Sequence, residues 1–311
     1  MQNLNQRKAY GDMLVKMGAE NRKIVVLEAD LGKSTMSILF QDKYPERYFE
    51  MGIAEANMIS TAAGLSLTGK IPFASSFAVF ATGRAYDQIR TSVCIPHLNV
   101  KICGSSAGLS DFGDGSTHQS IDDIALMRVL PNMTVFSPVD AVETEKIMEA
   151  MLKIDGPCYL RVNRNDLPIL TDKNLAFVAG LVYPIKDDGD ITLFATGIMV
   201  SVGLQAAMKL ADEGIHLKVC NVPTIKPLLA TSLLSALEGS RAFITAEEHN
   251  MSGGMGSAIL EALSGQCVLP SRMIGIRDRF GTSAQSYQEL LDHYGLTADA
   301  IMDAARGLAN T

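Results

Sequence analysis

The chain of 311 residues has no tryptophan, only 6% aromatic residues and five cysteines. Those cysteines, Cys94, Cys103, Cys158, Cys220 and Cys267, are odd in number and far apart, with no C-x-x-C pair. That spacing excludes a disulfide framework and a thiolate zinc site. It reads as small buried hydrophobes in a reducing cytosol. The five histidines, at 97, 118, 216, 249 and 293, show no metal-ligand spacing. No apolar run approaches the 18 residues of a membrane span. Residues 1–8 hold no apolar signal core, so the expected location is cytoplasmic. Positive charge is also short: 27 Lys and Arg face 34 Asp and Glu, a net charge of −7. A nucleic-acid or anionic-membrane surface would need the opposite balance.

Apolar residues are plentiful, at 47% against 20% charged, so a buried core is easily built. The length fits two domains. Short apolar runs at 23–27, 71–74, 100–103, 133–136 and 158–162 read as buried strands. Helical segments at 55–68, 77–94, 120–130 and 140–152 alternate with them, and a glycine-rich loop fills 104–117. Ser120 is the expected N-cap of 120–130, with Asp122 and Asp123 in its first turn, and Asp140 the cap of the next helix. A second rhythm places strands at 191–194, 217–222, 242–245 and 271–276. Helices fall at 199–213, 231–238, 254–263 and 287–310. Between them 165–190 is rich in Asp and Pro and breaks the pattern. The expectation is an α/β protein with two parallel-sheet domains, 1–168 and 191–311, joined by a linker at 169–190.

Ligands of open parallel sheets collect at the carboxyl ends of the strands. Three segments there carry unusual side chains. Glu55 opens a helix among apolar neighbours. It is either a carboxylate favoured by the helix dipole or a desolvated carboxyl suited to sharing a proton with a ligand nitrogen. Phe77 and Phe80 share a helix face, as core packing or as a platform for a flat heterocycle. The loop from Gly108 to Gln119 places Asp114 and His118 four residues apart, a pairing suited to hydroxyl or carbonyl oxygens. Arg7 and Arg164 are surface charges or the two forks of a phosphate site. Glu247-Glu-His249 is either a solvated loop after a strand or a buried network at a subunit contact.

The order of these pieces is more specific than any one of them. Arg7-Lys-Ala, Ala29-Asp-Leu-Gly-Lys-Ser34, Gly52-Ile-Ala-Glu55, Ser76-Phe-Ala-Val-Phe80, Asp114-Gly-Ser-Thr-His118-Gln119 and Arg164-Asn-Asp-Leu167 stand in the order of a transketolase C-terminal half. Glu247-Glu-His249, Gly253-Gly and Asp278-Arg-Phe-Gly281 follow. The chain resembles the pyrimidine-binding and C-terminal domains of that family over essentially its whole length. The resemblance implies a ketol transferase dependent on thiamine diphosphate. Glu55 would bond the aminopyrimidine and promote its imino tautomer, and Phe80, with Phe77 and Ile53 beside it, would hold that ring. Asp114 and His118 would meet substrate hydroxyl and carbonyl oxygens, with His118 also catalytic. Arg7, Ser34 and Arg164 would meet the sugar phosphate.

Family members hold the diphosphate through Mg²⁺ (or Ca²⁺), using a G-D-G segment with an N-N pair about 30 residues later. Gly113-Asp114-Gly115 lies in the substrate loop and no such pair follows. A separate N-terminal-type subunit is therefore expected to carry the metal and diphosphate site, in an assembly with two copies of each chain (α2β2). Three departures touch the donor pocket. Glycine stands at 104 and at 83, where many single-chain members have histidine and tyrosine, and Ser110-Asp-Phe112 lengthens the loop by about two residues. Two relatives share the domain pair, the β subunit of a 2-oxoacid dehydrogenase E1 and deoxyxylulose-phosphate synthase. A non-catalytic module that kept the fold is the alternative from another class.

Overall fold

The buried apolar runs become the strands of two main sheets. The computed structural model describes residues 2–309. Its first sheet has the order Thr224–Lys226, Thr134–Phe136, Cys158–Arg161, Lys101–Ser105, Ile71–Phe77, Ile24–Glu28, Tyr48–Glu50. All neighbours are parallel except Thr224–Lys226, which runs antiparallel to Thr134–Phe136. The second sheet has the order Ser271–Ile276, Ala242–Asn250, Ile191–Ala195, Leu217–Asn221, Tyr183–Lys186, the last strand antiparallel. The α/β class stands, with antiparallel strands added at the sheet edges. Ile24–Glu28 and Lys101–Ser105 are buried at every position, as both-face coverage requires.

Alternation along the first sheet feeds two cores. Ile24 and Val26 join Tyr10, Leu14, Phe40 and Phe136 on one face. Val25 and Leu27 face the other, whose cluster runs on without a break into Phe194, Phe243 and Ile259 of the C-terminal half. The stretch 165–190 carries two strands, Asp166–Pro168 and Tyr183–Lys186.

Asp166–Pro168 pairs antiparallel with Asn3–Asn5. This pairing brings the start of the chain to the residues that follow Cys158–Arg161. Asn5 then caps the helix Gln6–Glu20, its side chain accepting from the N–H groups of Arg7 and Lys8. Its Nδ2 donates to the Arg164 carbonyl at 3.1 Å. Gln6 donates to Pro138 O and accepts from Asn163 N, so the first turn of the helix is fixed in place.

The helix Gln6–Glu20 is absent from the apolar pattern because it is packed on several sides. A Cβ on Gly11 would lie 2.5 Å from Met36 O, and one on Gly18 2.5 Å from the Phe40 ring. Its glycines, which lower helix propensity, are what allow that approach. The expected helix at 77–94 is also different. The strand continues to Phe77, and two wide π turns, Phe80–Arg84 and Ile89–Cys94, flank Tyr86–Gln88. Such turns concentrate at functional sites. Ser120 is not a helix cap. The helix begins at Asp123, and the Ser120 backbone exchanges hydrogen bonds with Gly108 at 2.8 and 3.1 Å. Asp140 does cap its helix, accepting from Glu143 N at 2.8 Å.

Candidate active site

Five strands deliver side chains to one end of the first sheet. Ser34 follows Ile24–Glu28, Glu55 follows Tyr48–Glu50, and Phe77 and Phe80 end or follow Ile71–Phe77. His118 closes the loop after Lys101–Ser105, and Arg164 follows Cys158–Arg161. The pairing of Asn3–Asn5 with Asp166–Pro168 adds Arg7.

Contacts link these groups into one continuous surface. Glu55 is 3% exposed and accepts from Arg84 Nη1 at 3.0 Å. The Arg84 guanidinium lies 4.1 Å over the Phe80 ring. Phe80 stacks on Phe77 at 6.0 Å with ring planes 15° apart. His118 stands edge-on to both rings, at 5.2 Å from Phe80 and 6.3 Å from Phe77. Its Nδ1 shares a 3.0 Å hydrogen bond with Thr117 Oγ1. The Arg164 guanidinium is 5.8 Å from the Phe77 centroid. The carboxyl end of the surface already accepts a flat N–H donor, since Arg84 both bonds Glu55 and covers Phe80. A flat nitrogen heterocycle offers the same two features.

The far end is cationic. Arg7 Nη1 donates to Ser34 O at 2.9 Å, while its Nε is buried with no acceptor. Burial first, and then Arg164, push Arg7 below its ordinary value. Arg164 Nη1 donates to Asp111 Oδ2 at 2.6 Å. Burial raises the Asp111 carboxyl, Arg164 opposes that, and Asp114 adds to it. Asp114 is exposed and His118 half-buried. Ile53 lies outside this run of contacts, 73% exposed on the turn before Glu55. The Ser34 link recorded here is through its carbonyl rather than its hydroxyl.

Two site residues escape the sequence reading. Arg84 carries one signal, its i, i+4 spacing from Phe80. Asp111 carries another, a carboxylate inside the loop's extra residues. The glycine departures also gain a cause. A Cβ at Gly104 would sit 2.2 Å from Tyr159 Oη, so that ring fills the space a histidine would take. Gly83 faces open space.

Behind the surface lies a closed clamp. Arg161 Nε donates to both Asp123 oxygens at 3.2 and 2.9 Å, and Nη2 donates to Glu248 O at 2.8 Å. Tyr159 donates to Asp123 at 2.8 Å, and Leu109 N donates to the Glu248 carboxyl at 2.7 Å. Glu247 accepts from Met255 N and Gly256 N, at 2.6 and 2.8 Å. Glu247-Glu-His249 is thus a buried network rather than a solvated loop. It lies inside the strand Ala242–Asn250, buried, and Glu248 fastens the C-terminal half to the loop. Burial pushes Glu247 and Glu248 up to about 7 and His249 down to about 4. His249 fits the neutral form, with Nδ1 on Asn250 O at 2.6 Å and Nε2 accepting from Ala125 N at 3.4 Å.

No group of three or more His, Cys, Asp or Glu suited to a metal ion occurs among the described residues. No helix among them is long and apolar enough to cross a membrane.

Residues 2–169 match the pyrimidine-binding domain of transketolase, and residues 180–301 its C-terminal domain. The 6-deoxy-6-sulfo-D-fructose transketolase subunit SqwH of Clostridium sp. (strain MSTE9) is 40% identical, over 96% of this chain and 92% of its own. A putative transketolase C-terminal section of Methanocaldococcus jannaschii is 40% identical, over 95% and 93%. Human transketolase is 36% identical over 97% of this chain, which spans 48% of that protein. A solved structure described as a split gene transketolase, inactive beta4 tetramer, superposes with a TM-score of 0.89 at 44% identity, over 99% of this chain and 98% of its own. With its two domains in family order along a chain matched end to end by separate subunits, the protein belongs to the transketolase family.

Proposed function

We propose that this chain is the C-terminal subunit of a two-chain transketolase, active only with a separate N-terminal-type subunit. The reaction is transfer of a two-carbon ketol unit from a ketose phosphate or similar anionic ketose to an aldose. One observation carries the reading. The buried Glu55 carboxyl, the Phe80–Phe77 platform, His118 and the two arginines form one continuous surface, running from a wall for a flat heterocycle to a cationic end.

Thiamine diphosphate supplies, when bound, the carbanion-stabilising chemistry that lets a ketose break between C2 and C3. The residues here fit its aminopyrimidine. Arg84 shows that the Glu55–Phe80 wall takes a flat N–H donor. Glu55 would hold the aminopyrimidine by a hydrogen bond from its buried carboxyl. Phe80 and Phe77 orient the ring and exclude water from one face. His118 presents its free Nε2 edge to substrate oxygens, with Nδ1 tethered by Thr117. Arg7 and Arg164 bind the distal anion through their guanidinium groups. The partner subunit would hold Mg²⁺ and the diphosphate, in an assembly with two copies of each chain (α2β2).

The test is to assay ketol transfer by the chain alone and with its N-terminal-type partner. Transfer is expected only from the pair. Full activity of the single chain would refute the two-chain reading. In the complex, Glu55→Gln is expected to lower kcat by roughly 10²–10⁴-fold, the range of a positioned proton-transfer group. Near-normal turnover would remove Glu55 from that role.

A further inference from the structure

The extra loop residues Ser110-Asp111-Phe112 are built into the site rather than looped out. Asp111 O accepts from Gln119 Nε2 at 3.1 Å, and Phe112 O accepts from Ala284 N at 2.9 Å. Ser110 accepts from Arg164 N at 3.2 Å and from Asn165 Nδ2 at 3.0 Å. The loop is therefore fixed from three sides, and Asp111 is held with its carboxyl 95% covered against Arg164.

From this placement we infer that Asp111 is a specificity residue, setting the anion pocket for a singly charged terminal group, such as a sulfonate, over a phosphate dianion. The inference rests on the ketol-transfer reading above. The charge balance carries it. Arg7 and Arg164 bring two positive charges, and Asp111 cancels one of them at 2.6 Å. Asp114 and His118 face Asp111 from the same loop, and Asp166 stands near Arg7. A phosphate monoester carries about −1.5 to −2 at pH 7, with a second pKa near 6. Bound there, its second charge meets a carboxylate fixed by its loop. A sulfonate carries one charge at any physiological pH and leaves Asp111 paired. Asp111 also occupies Arg164 Nη1, so the incoming anion is left the remaining N–H groups of that fork.

The experiment compares a ketohexose 6-phosphate with the matching 6-deoxy-6-sulfo ketose as donors to the reconstituted two-chain enzyme. In Asp111→Asn, the kcat/KM ratio of phosphate to sulfonate donor is expected to rise about tenfold or more. Asp111→Glu, which keeps the charge, should hold the wild-type ratio. In the wild type, KM for the phosphate donor should rise between pH 5.5 and 7.5 relative to the sulfonate donor. In Asp111→Asn that trend should vanish or reverse. Equal changes for both donors would reduce Asp111 to a structural role and overturn the inference. If Asp111→Asn does not fold, the wild-type pH series decides, a constant ratio being the adverse result. Failure of the wild-type complex to transfer from any donor would defeat the ketol-transfer reading instead, so the two failures are told apart.

Discussion

Arg161 and Arg164 leave the same strand, and each holds a carboxylate, at 2.9 and 2.6 Å. Their surroundings differ. Arg161 is 6% exposed and its partner Asp123 is fully buried, with Tyr159 and the Glu248 carbonyl taking up further bonds. Arg164 is 35% exposed, and its neighbours are the Phe77 ring and a second guanidinium. An ion pair does not by itself distinguish a fastening from a site. What distinguishes them is whether donors remain unused. The closed one spends Arg161 Nη2 on Glu248 O of the C-terminal half, while the open one keeps N–H groups for a ligand.

Three variants sharpen or break this contrast. The largest effect belongs to Arg161→Met. It leaves Asp123 buried without its cation, and denaturant unfolding should show a loss of about 3–5 kcal/mol. A loss below about 1 kcal/mol would mean that the clamp does not fasten the halves. Next comes Arg164→Ala. Steady-state kinetics of the two-chain enzyme should show KM for an anion-terminated donor rising roughly tenfold to hundredfold, the worth of one charge-assisted hydrogen bond. Its unfolding midpoint should fall less than that of Arg161→Met, because removing the 35% exposed Arg164 opens Asp111 to water. A collapse of the midpoint would place Arg164 in the same class as Arg161.

The smallest effect concerns pH. Glu248 is raised by burial from 4.5 to about 7, so the folded state holds its proton more tightly than the unfolded chain. That contribution is complete below about pH 4.5 and is lost as pH rises toward 7. Melting curves from pH 5 to 8 should therefore show Glu248→Gln with a flatter profile than the wild type over the lower part of that range. Parallel profiles would remove Glu248 as a titrating member of the clamp. His249 acts with the opposite sign. Its folded value near 4 lies below the ordinary 6.5, so its contribution fades as pH falls through that interval.

Much of the fold was legible in the sequence because parallel strands buried on both faces read as plain apolar runs. Lys101–Ser105 and Ile191–Ala195 are of this kind. The helix Gln6–Glu20 was hidden, since its spacing serves several neighbours at once and two of its packing positions are glycines. For the site, Glu55, Phe80, His118 and Arg164 could be singled out one by one. Their union could not, because it depends on the order of strands in space. Arg84 looked like any surface arginine until Phe80 and Glu55 were placed on either side of it. Arg161 and Glu248 did leave a trace. Each is a charged residue inside an apolar strand, which a buried partner alone makes tolerable.

Thr224–Lys226 has a consequence for how such proteins can be recombined. The strand belongs to the later half by sequence and to the earlier sheet by hydrogen bonding. A chimaera that took residues up to about 170 from one relative and the remainder from another would have to match this seam, or leave Thr134–Phe136 with a bare backbone edge. The two homology regions are therefore inherited as one body, and any shuffling between relatives must respect the strand that crosses from one to the other.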